Sequence, residues 1–147
     1  MLKVGIDTNV FVSSLLVESG LPAQILEAWR ERRFLLIVSP AIIAEIRAVL
    51  CLPRIRRKYH ITDEDVQKLV ALLERDALVV PGGSDVTGAI PEDPADEMVL
   101  ACALDAGAEM IVSGDRHLLD LGSYRSISIL TARQFLERLA GEQSDSL

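Results

Sequence analysis

The sequence predicts a three-layer α/β domain in which helices cover both faces of a central parallel sheet of four to five strands. Short apolar runs alternate along the chain with segments of helical periodicity, and this alternation is typical of parallel sheets. The apolar runs are LKVGI, FLLIV, ALVV, EMIV and SISIL. Since the chain has 147 residues and 50% hydrophobic content, it suits one compact domain. We expect residues 1–140 to form that domain and the polar residues 141–147 to form a disordered tail.

The predicted helices begin and end at recognisable residues. A first helix follows LKVGI after Asn9, and a second follows FLLIV from Pro40, where Ser39 is a suitable N-cap and proline takes the first helical position. Further helices are expected from Pro94 after ALVV, and after SISIL. The remaining marks are an approximate capping box at Thr62 and Asp65, a helix end at Gly107 and a cap at Thr131.

The composition limits the class of protein. The net charge is −7, which argues against a general nucleic-acid-coating protein because phosphate neutralisation supplies sequence-independent affinity. The two cysteines, Cys51 and Cys102, indicate neither a disulfide framework nor a thiolate metal site, so a reducing cytoplasm is expected. Asp7 interrupts the N-terminal apolar run, and no stretch approaches a membrane span.

Basic residues cluster in two runs apart from most of the acids. The interpretation favoured for each run alone is a solvated face, and the alternative for the second run is an RNA-binding surface. The first run is RERR, with Arg30, Arg32 and Arg33; the second is RIRRK, with Arg54, Arg56, Arg57 and Lys58.

Four acids from separate segments are predicted to meet at one edge of the sheet. Asp7 ends the first strand, and Asp115 follows the fourth. Glu45 falls in the second turn of the helix from Pro40, and Asp96 in the first turn of the helix from Pro94. Parallel strands end, and their following helices begin, on the same edge, where such folds build ligand sites.

Helical periodicity turns two of these acids inward. Asp96 projects into the apolar stripe of its helix, and Glu45 projects onto the border of its stripe. An ionised carboxylate on such a stripe must be paired, protonated or bound to metal. Each acid also has a purely structural interpretation: Asp7, Asp96 and Asp115 could cap helices, and Glu45 could pair with a surface arginine. Those interpretations do not explain why the four converge.

The predicted cluster offers hard oxygen ligands and contains no histidine or cysteine that its motifs include, so Mg²⁺ or Mn²⁺ is the natural occupant. Such ions polarise phosphoryl oxygens and activate water, which is nuclease or phosphohydrolase chemistry. His60 and His117 are better interpreted as exposed residues than as catalytic bases. Gly82 and Gly83 lack the lysine and hydroxyl of a P-loop.

Several segments, taken in order, resemble the PIN-domain family, especially bacterial toxin components of toxin–antitoxin systems. They are VGIDTNVFVSSLL, SPAIIAEIRAVL, EDPADEMVLACALDAGAEMIVSGDRHLL and SILTARQFL. The resemblance covers nearly the whole chain. It implies a PIN-like nuclease domain whose metal-binding quartet is Asp7, Glu45, Asp96 and Asp115, with Asp93 as an auxiliary acid and with Asn9 and Ser113 supporting the pocket by hydrogen bonds. Relatives often carry asparagine where this chain has Glu97, which could add a ligand or face solvent.

The function expected from this resemblance is Mg²⁺- or Mn²⁺-dependent cleavage of RNA. The resemblance also implies a protein antitoxin and a homodimer. Two alternatives stay open. One is a phosphohydrolase or phosphoacceptor domain with Asp7 as nucleophile, and the other is a non-catalytic protein-binding module.

Overall fold

The computed structural model of the protein describes residues 1–90 and 96–145. The strands are β1 (Lys3–Ile6), β2 (Leu35–Val38), β3 (Leu78–Val79), β4 (Met110–Val112), β5 (Ser123–Tyr124) and β6 (Ile127–Leu130). The helices are α1 (Thr8–Leu16), α2 (Leu21–Arg30), α3 (Pro40–Leu50), α4 (Pro53–Tyr59), α5 (Asp63–Asp76), α6 (Glu97–Ala106), α7 (Arg116–Leu121) and α8 (Ala132–Asp145).

The predicted fold class is confirmed. In the described residues the sheet has one strand more than the four to five that were predicted. The sheet has six strands in the order β3-β2-β1-β4-β6-β5. All neighbouring pairs are parallel except β5 with β6. The β5 strand was not predicted, because its hairpin turns at Arg125 and Ser126, both at positive φ, without the glycine or asparagine that normally marks such a turn.

Two layers of helices enclose the sheet. On one face, Ile6 and Leu36 meet Phe11 and Trp29 of α1 and α2. On the opposite face, α6 packs across β1, β2 and β4. Gly5 faces α6, and a Cβ at this position would meet a methyl group of Val99 at 3.4 Å, an ordinary contact distance. Successive side chains of β1 point to opposite faces of the sheet and therefore belong to two separate apolar layers.

The chain reverses its direction of travel across the sheet at β1. From β1 it proceeds to β2 and then to β3, and it later returns to place β4 on the other side of β1. In open α/β sheets this reversal opens a crevice at the carboxyl ends of the two central strands, where ligands bind. Asp7 follows β1 at this point, and its backbone N–H donates to the carbonyl of Val112, the last residue of β4, at 2.9 Å.

The predicted helix ends are mostly confirmed. The Ser39 side chain accepts from the amide of Ile42, and Thr62 and Asp65 form a reciprocal capping box. Thr131 caps α8 through the amide of Gln134, and Gly107 ends α6 in the left-handed conformation. No single helix in the described part of the chain is long and apolar enough to cross a membrane.

Two predicted boundaries need comment: one helix start lies outside the described residues, and the predicted tail overlaps a helix. The predicted helix start at Pro94 lies outside the described residues, which resume at Asp96. The predicted tail, 141–147, overlaps α8, whose helical backbone continues to Asp145. Backbone hydrogen bonding thus carries the helix beyond Leu139, its last buried apolar side chain.

Candidate active site

Asp7 is the buried centre of the site. It is the N-cap residue of α1, but its side chain makes no capping hydrogen bond of good geometry, and the Asn9 backbone N–H has the smallest effect on its pKa, so a helix cap accounts for little of its carboxylate's surroundings. The residue is only 7% exposed. A carboxylate held at this depth requires hydrogen bonds or a cation to remain charged.

Ser113 joins two of the predicted acids. Its hydroxyl donates to Asp7 Oδ2 at 2.8 Å and accepts from the backbone N–H of Asp115 at 2.9 Å. The residue is 1% exposed, and its own backbone N–H donates to Leu130 on β6. Ser113 therefore makes the hydrogen bonds expected of a supporting residue, and it links the carboxyl ends of β1 and β4.

The surroundings of Asp7 oppose its ionisation. Burial raises the pKa of Asp7, and the hydrogen bond from Ser113 partly offsets this. The negative charges of Asp115 and Glu45 raise the pKa further, while the backbone N–H of Asn9 lowers it slightly. The net shift is upward. Because Asp115 and Glu45 act on Asp7 through space, the structure brings these three acids into one electrostatic cluster.

Asp115 has a capping role as well as a place in the cluster. Its Oδ1 accepts from the backbone amides of His117 and Leu118 at 2.8 and 3.2 Å, so it caps α7. Partial burial raises the pKa of Asp115, but a hydrogen bond with the Asp96 side chain and the two amide hydrogen bonds outweigh burial and lower it. The nearby His117 lowers it further. The cap interpretation is therefore correct, and it leaves Asp115 in contact with a second carboxyl group.

Asp96 occupies the N-cap position of α6 without capping it, since no backbone amide of the helix donates to its side chain. Its carboxyl group instead contacts Asp115. A hydrogen bond between two carboxyl groups requires a proton on one of them. The inward orientation predicted from the apolar stripe therefore brings Asp96 to Asp115. The predicted auxiliary acid, Asp93, lies outside the described residues.

Glu45 reaches the site from the second turn of α3. Its Oε2 accepts from the hydroxyl of Thr8 at 2.9 Å, and none of the ion pairs in the described residues includes it. The sequence analysis missed Thr8, which is buried directly after Asp7. The available signal was its place inside the DTNV segment, between two residues already selected.

Two further residues lie beside the four acids. The Asn9 side chain is exposed, while its backbone N–H lowers the pKa of Asp7, and its supporting role stays a prediction. Glu97 is half-buried, and its Oε1 accepts from the backbone amides of Gly88 and Ile90 at 3.1 and 3.3 Å. It holds the preceding loop against α6.

The basic run RIRRK forms most of α4 and carries no buried residue. Arg56 forms an ion pair with Asp63, and Arg57 donates from Nε to the carbonyl of Pro53 at 3.3 Å. Lys58 lies over the ring of Tyr59, and Arg54 is exposed. The run thus lies on a mostly exposed helix, and three of its four positive groups already make contacts within the chain.

The acids are joined pairwise rather than in one coordination sphere. Within residues 1–90 and 96–145, no three acidic, histidine or cysteine side chains are positioned to hold one ion together. The donor chemistry nevertheless fits a hard cation, because the converging groups are carboxylates beside serine and threonine hydroxyls. Mutual repulsion around Asp7 is the electrostatic condition that a divalent cation would relieve.

Comparison with known proteins identifies a matching family and a similar protein. A family profile described as "PIN domain" matches residues 3–117, which include Asp7, Glu45, Asp96 and Asp115. The chain is also similar to an uncharacterized protein of Methanocaldococcus jannaschii, with 28% identity over 144 residues, covering 92% of this chain and 90% of the relative. This relative supports a shared fold along nearly the full length and assigns no activity.

Proposed function

Because the chain belongs to the PIN-domain family, whose members are generally nucleases, we propose that it is a ribonuclease that hydrolyses RNA phosphodiester bonds with Mg²⁺ or Mn²⁺. The observation that supports the proposal is the buried carboxyl group of Asp7 at the crevice between the carboxyl ends of β1 and β4, where Asp115 and Glu45 raise its pKa and Asp96 bonds to Asp115. Ligand sites of open α/β sheets form at this position.

In this proposal Asp7, Glu45, Asp96 and Asp115 hold the metal, and Asp93 is an auxiliary ligand. A bound cation of this kind would activate water and stabilise negative charge on the phosphoryl group. The surrounding protein groups fix the carboxylates in advance: Ser113 orients Asp7, and Thr8 orients Glu45. Hydrogen bonds that lock such side chains are what keep a metal site in its productive geometry.

The phosphoacceptor alternative has less support. A covalent aspartyl site normally places a lysine beside the phosphoryl group, but Lys3 lies at the opposite end of β1 and donates to the carbonyl of Ala106 at 3.1 Å. Lys58 belongs to α4, and Lys68 pairs with Glu64 on α5. The non-catalytic alternative does not account for the retention of all four acids with their hydrogen-bond partners.

We also propose the wider setting that the family resemblance implies. The substrate is RNA, with the α4 run of Arg54, Arg56, Arg57 and Lys58 contributing to its binding. The chain acts as a homodimeric toxin that a protein antitoxin blocks, in a reducing cytoplasm. The free thiols of Cys51 and Cys102 agree with that compartment.

One assay tests the catalytic proposal. Purified protein is incubated with single-stranded RNAs and with a phosphatase substrate, in Mg²⁺, in Mn²⁺ and in excess chelator. We expect cleavage of RNA alone, only with metal, and its abolition by Asp7→Asn with the circular dichroism spectrum retained. Glu27→Gln, which removes one exposed carboxylate on α2, is the matched control and should cleave normally. Undiminished RNA cleavage in chelator would refute the proposal.

A further inference from the structure

A depression beside the acidic cluster is lined by polar groups that the proposed reaction has not yet used. Its volume is about 350 Å³, and Asn9, Ser13, Pro22, Asp115 and Arg116 contribute to its lining. That volume falls in the range of small-ligand sites. Asp115 belongs both to this depression and to the acidic cluster, so a molecule bound here would adjoin the proposed catalytic centre.

Three polar side chains of the depression have no partner within the described part of the chain. The guanidinium of Arg116, the amide of Asn9 and the hydroxyl of Ser13 form neither hydrogen bonds nor ion pairs there. Arg116 shares this unpaired state with several other arginines among the described residues, whereas Arg56 and Arg75 are each paired with an aspartate; its place beside the acids distinguishes it. The depression therefore presents a cation and two hydrogen-bonding groups whose capacity is unused.

Arg116 is placed where an RNA substrate needs positive charge. The chain carries a net charge of −7, and the clustered carboxylates repel a phosphate backbone. Arg116 is the first residue of α7, directly after Asp115. A guanidinium binds phosphate through two parallel hydrogen bonds and stays charged. An amide and a hydroxyl can each donate to and accept from a ribose or a base.

We propose that this depression is a nucleotide subsite, in which Arg116 binds the phosphate next to the one that is cleaved and Asn9 and Ser13 bind that nucleotide's ribose or base. The inference rests on the proposed ribonuclease function and names the groups that hold its substrate. Arg116 acts here as a positioning residue. Its removal weakens RNA binding without altering the carboxylates.

The test compares substitutions of two arginines: one lies in the depression, near the carboxyl ends of the central strands, and the other lies near the start of β2. Arg116→Gln removes the proposed contact, while Arg30→Gln removes an exposed charge at the end of α2, beside Phe34 and Leu35 at the start of β2. Binding of a single-stranded oligoribonucleotide is measured by fluorescence anisotropy across a salt series. One lost phosphate contact should reduce the slope of log K against log salt by about 0.7, and only for Arg116→Gln.

Cleavage kinetics give a second readout. We expect Arg116→Gln to raise KM about tenfold and to leave kcat nearly unchanged. The loss of a contact that is made equally in the ground state and in the transition state has this effect. Arg116→Lys should keep the salt slope and recover part of the affinity. Equal slopes for Arg116→Gln and Arg30→Gln would overturn the subsite. If the wild-type protein binds RNA but does not cleave it, the ribonuclease proposal fails, and the binding slopes still decide whether Arg116 contacts phosphate.

Discussion

Replacing Ser113 by alanine tests how the protein holds a buried carboxylate. The serine is 1% exposed and makes hydrogen bonds to Asp7 and to the backbone N–H of Asp115. Losing a hydrogen bond to a buried carboxylate and leaving one N–H without its acceptor should together lower the free energy of unfolding by about 3 kcal/mol at neutral pH. For a domain of this size, that corresponds to a fall in Tm of roughly 6–12 °C.

The loss should depend on pH with a definite sign. Because the folded-state pKa of Asp7 is raised by burial, its contribution to stability is fully present below the unfolded pKa of about 4 and is lost as pH rises through the folded pKa. Ser113 favours the charged form, so Ser113→Ala raises that pKa further. The destabilisation should therefore be smallest at low pH, where the unpaired backbone N–H of Asp115 accounts for most of it, and it should grow toward neutrality.

Urea unfolding in chelator, between pH 3.5 and 7.5, measures this effect. Ser14→Ala is the matched control, because Ser14 is also buried but its hydroxyl donates to the carbonyl of Phe11 within α1. We expect its effect to be small and independent of pH. If Ser113→Ala shows the same cost at every pH, or only the cost of Ser14→Ala, then Ser113 does not stabilise the Asp7 carboxylate.

Two further substitutions probe the acids and the basic run. Asp96→Asn should raise the Tm in chelator at neutral pH by a few degrees, because its amide donates to Asp115 without the proton that two hydrogen-bonded carboxyl groups must share, and it should diminish the rise in Tm caused by Mn²⁺. A lower Tm in chelator with an intact Mn²⁺ response would remove Asp96 from the ligand set. Replacing Arg56 and Arg57 by alanine should flatten the salt dependence of RNA binding by up to about 1.4 in slope; Arg56 should contribute less, since Asp63 already pairs with it. An unchanged slope would leave α4 as a solvated surface without a role in RNA binding.

Much of the fold was predictable because its signals are local. The apolar runs, the proline at the start of α3 and the capping box at Thr62 each depend on a few neighbouring residues. The order of the strands depends on contacts between distant segments. Local sequence therefore predicted that Asp7 and Asp115 lie on one edge of the sheet, but it did not predict that β1 lies beside β4. The β5 strand was missed for a local reason, since Arg125 and Ser126 adopt positive φ without the usual turn residues.

The candidate site likewise has features that local sequence predicts and features that depend on residues distant in the chain. Strand ends and helix starts predicted which acids would approach one another, and the hydrogen bond of Ser113 agrees with the family resemblance. The roles of Thr8 and Glu97 could not be predicted, because each depends on a partner that the sequence does not specify: Glu45 lies 37 residues from Thr8, and Glu97 bonds loop amides.

Helix α6 is fastened at both ends to the loop that precedes it. Glu97 holds the amides of Gly88 and Ile90, and Asp105 holds those of Gly83 and Ser84 at 2.8 and 3.1 Å. Residues 83–90 are consequently tied to both ends of α6, and Asp96 stands at the N-terminal end of that helix. A substitution in residues 83–90 would therefore act on the position of α6, and through it on Asp96, as well as on its own local conformation.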